Sequence, residues 1–166
     1  MREIAYNRTA AVNYALTWAL GRNPEYYDYS GIGGDCTSFV SQCVYAGTGV
    51  MNYTPDFGWY YIDSNNKSPS WSGVEFFYNF MTTNEGIGPF GVEENLSRLR
   101  VGDIIQLGNE NGMYYHSLII TGILTLRSGR RYYVSAHSSD ARQRRLSSYQ
   151  FSNLRGIHIL GARVED

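Results

Sequence analysis

Apolar positions recur at two different periods along the chain, and the change falls near residue 100. Val12, Ala15, Leu16, Ala19 and Leu20 are spaced i, i+3, i+4, i+7 and i+8, one face of a first helix. Asn7 or Thr9 stands where a cap is needed, and Gly21 with Asn23-Pro24 ends the helix. A second helix runs from Cys36 to about Gly47 and buries Phe39, Val40, Cys43 and Val44, with Asp35 placed as its N-cap. Ser72 and Glu75 have capping-box spacing for a third. Val74, Phe77, Tyr78 and Met81 give it one apolar face, and Phe76 and Phe80 a second strip, so the pattern predicts enclosure on two sides. Residues 48–70 show no period. They carry Tyr53, Phe57, Trp59, Tyr60 and Tyr61 and then a polar run, and a stretch this long reads as the wall of a cleft.

From residue 100 the period becomes two. Strands are predicted over Ile104–Leu107, His116–Leu126, Arg131–His137 and Gly156–Val164. A turn at 127–130 sets residue 116 opposite about 141 and residue 120 opposite 137. Helices first and antiparallel strands afterwards predict an α+β fold with the helices on one face of the sheet. The length, 166 residues, fits a single domain over 1–166 with a real core.

Composition narrows the function. The net charge of −1 gives no field that calls for nucleic acid or a membrane surface. No apolar run approaches the ~18–20 residues that cross a bilayer. The start, Met1-Arg2-Glu3-Ile4-Ala5-Tyr6, lacks the apolar core of a signal peptide, which fits a cytosolic chain or a domain of a longer exported protein. Residues 1–90 hold four basic and eight acidic groups, whereas residues 91–166 hold ten arginines and seven acidic groups. Most of those arginines fit a solvated face, and a few fit a cleft wall that attracts a carboxylate. Cys36 and Cys43 on one helix lie about 10.5 Å apart along its axis, beyond the roughly 7 Å a disulfide allows. No CxxC or HxxxH spacing calls for a metal, and no cofactor is expected.

The chemistry centres on Gly33-Gly34-Asp35-Cys36. A cysteine in the first turn of a helix feels the positive end of the helix dipole, which favours a thiolate. Such a nucleophile needs a base, and the base an orienting group. His116 opens the long strand and His137 ends its partner, so both lie near one end of the sheet, and a bulge or bend would make them neighbours. His158, among Ile157, Ile159 and Leu160, reads as structural.

The block Gly34-Asp35-Cys36-Thr37-Ser38-Phe39-Val40-Ser41-Gln42 resembles the nucleophile motif of the papain-like NlpC/P60 and CHAP peptidoglycan hydrolases, and more closely that of the amidase domain family Amidase_6. Residues Tyr6 to Ala15, Val101 to Gln106, His116 to Thr121 and Ser135 to Asp140 resemble its other blocks, in order. The resemblance implies a cysteine helix packed on an antiparallel sheet of five to six strands. It implies a thioester route for hydrolysing peptide or sugar–peptide amides of bacterial cell wall. Cys36 would be the nucleophile, His116 the base and His137 its orienter, with Asp140 as substitute or helper. The Cys36 N–H and Tyr29 would serve as oxyanion donors. Trp59 and Arg142 are candidates for substrate contact. Ser38, where many members have Asn, is a third. A monomer acting on a peptide or wall fragment is expected. An effector amidase with a protein substrate, and a silent binding module of the same fold, are the other function classes.

Overall fold

A computed structural model describes all 166 residues. It is α+β: four helices pack on a curled antiparallel sheet of seven strands. The order of elements is β1 (Arg2–Ile4), α1 (Arg8–Trp18), α2 (Cys36–Thr48), β2 (Tyr61–Asp63), β3 (Asn66–Lys67), α3 (Pro69–Ser72), α4 (Val74–Thr83), β4 (Gly88–Glu94), β5 (Ile104–Gly108), β6 (Tyr114–Leu126), β7 (Gly129–Ala136), β8 (Ala141–Arg145) and β9 (Asn153–Val164). The main sheet runs β1-β9-β5-β6-β7-β8, β4 pairs with residues 156–163 of β9, overlapping β5 at 156 and 157, and β2-β3 form a separate hairpin. No helix is long and apolar enough to cross a membrane.

The sheet separates two apolar layers. Phe39, Val40, Cys43 and Val44 of α2 meet Ile104, Ile119, Ile157 and Ile159 on one side. Leu118, Ile120, Val134 and Leu107 fill the other. Helix α1 is capped by the Asn7 side chain, which accepts from the Ala10 N–H. Its buried stripe is Ala11, Ala15 and Ala19; Ala15 and Ala19 belong to the predicted face, whereas Val12 and Leu16 are half-buried and Leu20 is exposed. Small side chains let α1 lie close to α2, so the tight contact selects alanine over leucine.

Four sequence expectations change here for packing reasons. Residues 48–70 divide: Ser64, Asn65 and Lys67 line a cleft, but Trp59 is fully buried in the core and donates its Nε1–H to the Ser41 hydroxyl, and Trp71 packs against it. The third helix divides into α3 and α4, and Gly73 holds the cap position of α4 with no side-chain bond, so Ser72 caps nothing. Phe76 is exposed, which leaves α4 covered on one side only. The β6–β7 turn is tighter than expected. Leu126 pairs with Gly129, and after a bulge between Ile120 and Gly122 residue 119 faces 135, which brings His116 toward residue 138 rather than 141.

Candidate active site

Cys36 is the first residue of α2 and is 8% exposed. The chain reaches it through Gly33 and Gly34, both with positive φ (85° and 105°). At Gly34 a side chain would also crowd the Ser138 hydroxyl, 3.2 Å from where a Cβ would stand. The glycines therefore let the loop turn under a serine that arrives from the end of β7.

Asp35 does not cap α2. No side-chain bond closes the helix start. Instead one carboxylate oxygen accepts the Tyr29 N–H at 2.9 Å, and the other lies 2.6 Å from His137 Nδ1. Both residues are about 1% exposed. The Nε2–H of His137 points at the Trp18 carbonyl, 2.8 Å away, and its ring stacks on Phe39 with centroids 4.0 Å apart. A buried carboxylate requires such a partner, and a histidine 102 residues away outcompetes the local N–H groups. The consequence for α2 is that its first-turn N–H groups remain uncapped beside the thiol.

Burial raises the Cys36 thiol above its ordinary range, although N–H groups of Ser117 and Thr37 and the Thr37 hydroxyl pull the other way. The lowering expected from the helix field is thus outweighed, and the resting group is a thiol. Thr37 and Ser117 hydroxyls lie 3.0 Å apart, and Gln106 donates to Ser117 at 3.2 Å. This polar seam fastens the Cys36 end of α2 to the start of β6, where His116 immediately precedes Ser117. His116 opens into a pocket of about 360 Å³ shared with Ser138, Ser139, Arg144, Tyr149 and Gln150. Burial and, secondarily, the Arg144 charge lower its pKa to about 4, so the ring is neutral at pH 7. No hydrogen bond joins Cys36 and His116 in this state; catalytic contacts are often long before substrate binds.

The Thr37–Ser117 bond ties the start of α2 to β6 one residue from His116, whereas His137 lies against α2 itself, on Asp35 and Phe39. Both nitrogens of His137 are occupied, on the helix side of the sheet, while His116 faces the pocket. His137 therefore does not orient His116; it anchors the Asp35 loop. Asp140 also differs from expectation, since it forms a two-point ion pair with Arg22 at 2.9 and 3.1 Å. Arg22 also reaches Asp28 at 3.2 Å. Ser38 is fully buried and accepts from Gln42. Trp59 lies in the core. Arg142 donates to the Leu16 carbonyl, and Arg144, two residues on, is the arginine of the pocket. Tyr29 donates its hydroxyl to the Ser64 carbonyl and, with Gly33, Gly34 and Lys67, lines a second cleft of about 490 Å³. The two hollows meet where Gly34 touches Ser138, next to Cys36. His158 is bound to Asp103 at 2.7 Å, as a structural residue.

Sequence reasoning missed Ser117, Ser138, Ser139 and Tyr149. The one available signal was the Ser138-Ser139-Asp140 run after a strand. Ser138 and Ser139 both have positive φ (62° and 68°), a strain that clusters at functional sites. Ser138 also accepts the Asp35 N–H at 2.9 Å.

Comparison with known proteins agrees with the sequence blocks. The Amidase_6 model, described as a putative amidase domain, matches residues 5–160. Two Bacillus subtilis (strain 168) proteins are similar. "Uncharacterized protein YhbB" is 29% identical over 147 residues, which is 86% of this chain and 45% of that protein. "Uncharacterized protein YjcM" is 30% identical over 139 residues, 81% of this chain and 31% of that protein. The chain thus spans less than half the length of these relatives. No solved structure gives a significant match to it.

Proposed function

This chain belongs to the Amidase_6 family, and we propose that it is a cysteine-dependent amide hydrolase of papain-like fold, with Cys36 as nucleophile and His116 as its proton carrier. The observation that carries this reading is the uncapped start of α2. It puts the Cys36 thiol and the first-turn N–H groups on the same helix end, which the Thr37–Ser117 bond ties to β6 one residue from the neutral His116. A resting thiol and a neutral imidazole suit general-base activation. As sulfur attacks the amide carbon, the S–H proton passes to His116 and the S–C bond forms. The oxyanion takes hydrogen bonds from α2 N–H groups, that of Cys36 first. His116 then gives the proton to the leaving nitrogen, the C–N bond breaks, and an amine and a thioester result. Water attacks the thioester with its proton taken by His116. The S–C bond breaks, the thiolate recovers that proton, and a carboxylic acid leaves.

The family resemblance favours peptide or sugar–peptide amides of bacterial cell wall as substrate. The test is digestion of purified wall fragments by native protein and by Cys36→Ala, followed by mass spectrometry. Native protein is expected to release amine products, with an acyl adduct on Cys36 in quenched samples and at least a thousandfold loss in Cys36→Ala. Equal product from Cys36→Ala would overturn the cysteine mechanism. No mass change with native protein would overturn the wall substrate.

A further inference from the structure

The pocket beside His116 holds two donors that the protein does not use. The Arg144 guanidinium gives Nε to the Ser148 hydroxyl and one terminal nitrogen to the Ser148 carbonyl, at 2.8 and 3.0 Å. It lies flat over the Tyr149 ring, 3.7 Å from its centroid. It forms no ion pair with any carboxylate, whereas Arg8, Arg22 and Arg155 all do. Its second terminal nitrogen is free. The Tyr149 hydroxyl is buried, which raises its pKa; it makes no well-formed hydrogen bond in the protein, and the Arg144 guanidinium is the polar group close enough to act on it. An unpartnered buried donor is costly, and here it sits next to an unpaired cation that is already held in place by stacking and two hydrogen bonds.

We propose that Arg144 and Tyr149 form a carboxylate-binding subsite for the leaving group of the amide that Cys36 attacks. This rests on the amidase reading above, and the direction follows from it. His116 must deliver its proton to the departing nitrogen, so the amine half of the substrate lies in the His116 pocket. Arg144 is the cation that lines that pocket. A guanidinium edge and a hydroxyl together match the two oxygens of one carboxylate. The substrate class is therefore an N-acylated amino acid or peptide with a carboxylate close to the scissile amide on its amine side. A bound carboxylate would also offset the Arg144 charge that depresses His116, and so favour protonation of His116 only when substrate is present.

The test measures alkylation of Cys36 in the intact chain by three matched reagents, read by mass spectrometry. N-iodoacetyl-alanine carries a terminal carboxylate and N-iodoacetyl-alaninamide is its neutral counterpart. The third, N-iodoacetyl-glutamic acid α-amide, carries only a side-chain carboxylate. Relative to a free thiol in solution, Cys36 is expected to favour at least one carboxylate reagent over the neutral one by at least tenfold. Which one reacts faster distinguishes a terminal from a side-chain carboxylate. The preference should fall in high salt, fall several-fold in Tyr149→Phe and vanish in Arg144→Gln. Each variant's preference is taken relative to its own alaninamide rate, and an unchanged circular-dichroism spectrum and Tm show that both variants are folded. Arg142→Gln should keep the full preference. Equal rates for all three reagents in the native chain, or an undiminished preference in Arg144→Gln, would overturn the subsite while leaving the amidase reading intact. Failure of every reagent to modify Cys36 would overturn the amidase reading and the subsite with it.

Discussion

Asp35 separates a local from a long-range account of the setting of Cys36. As a helix cap, its replacement by Ala would cost about 1 kcal/mol. As one half of a buried pair with His137 it should cost about 3–5 kcal/mol, because the imidazole and the Tyr29 N–H both lose their partner away from water. For a domain of this size that difference is on the order of 10 °C in Tm. Asp35→Asn keeps an acceptor for Tyr29 and a neutral partner for His137, so it should lose less than half as much. Urea unfolding of Asp35→Ala, His137→Ala and the double variant gives the coupling directly. A coupling above about 1.5 kcal/mol supports the pair. A cost near 1 kcal/mol for Asp35→Ala with additive effects would refute it. Wall-fragment activity is informative as well: Asp35→Asn should retain most of it, since the α2 N–H groups stay uncapped.

His116 makes stability pH-dependent with a definite sign. Its folded pKa of about 4 lies below the ordinary 6.5, so the stability linked to it is intact above pH 6.5 and is lost as pH falls toward 4. The loss amounts to about 3 kcal/mol. Chemical denaturation across that window should show the native chain losing stability faster than His116→Gln, and parallel curves would contradict the burial of the ring. Trp59→Phe should leave KM unchanged, because the indole is fully buried, and should lower stability by about 1–2 kcal/mol through loss of the bond to Ser41. A raised KM with unchanged stability would return Trp59 to the cleft.

What the chain's pattern revealed, and what it concealed, follows one physical distinction. Helix α2 and strand β6 were readable because a period set by one element's own backbone decides which residues are buried. Cys36 and His116 were readable because each stands at the start of such an element. The edge strands were not. β8 is Ala-Arg-Gln-Arg-Arg, which reads as a polar run, and β4 begins Gly-Pro and changes register at Phe90. In both, pairing with a neighbour rather than composition makes the strand. The partner of His116 was misassigned for a related reason. Side chains change face with every residue, so a turn two residues shorter and one bulge at residue 121 are enough to decide what a histidine meets. His137 consequently points to α2, where Asp35, buried and needing a partner, binds it. The same register carries Ser138 and Ser139 to the rim of the His116 pocket in place of the imidazole. A cysteine at a helix start and a histidine near a strand start can thus be located by local rules, whereas what their side chains meet depends on register. In this chain register makes His137 a support for the Asp35 loop and leaves Arg144 and Tyr149 facing the base.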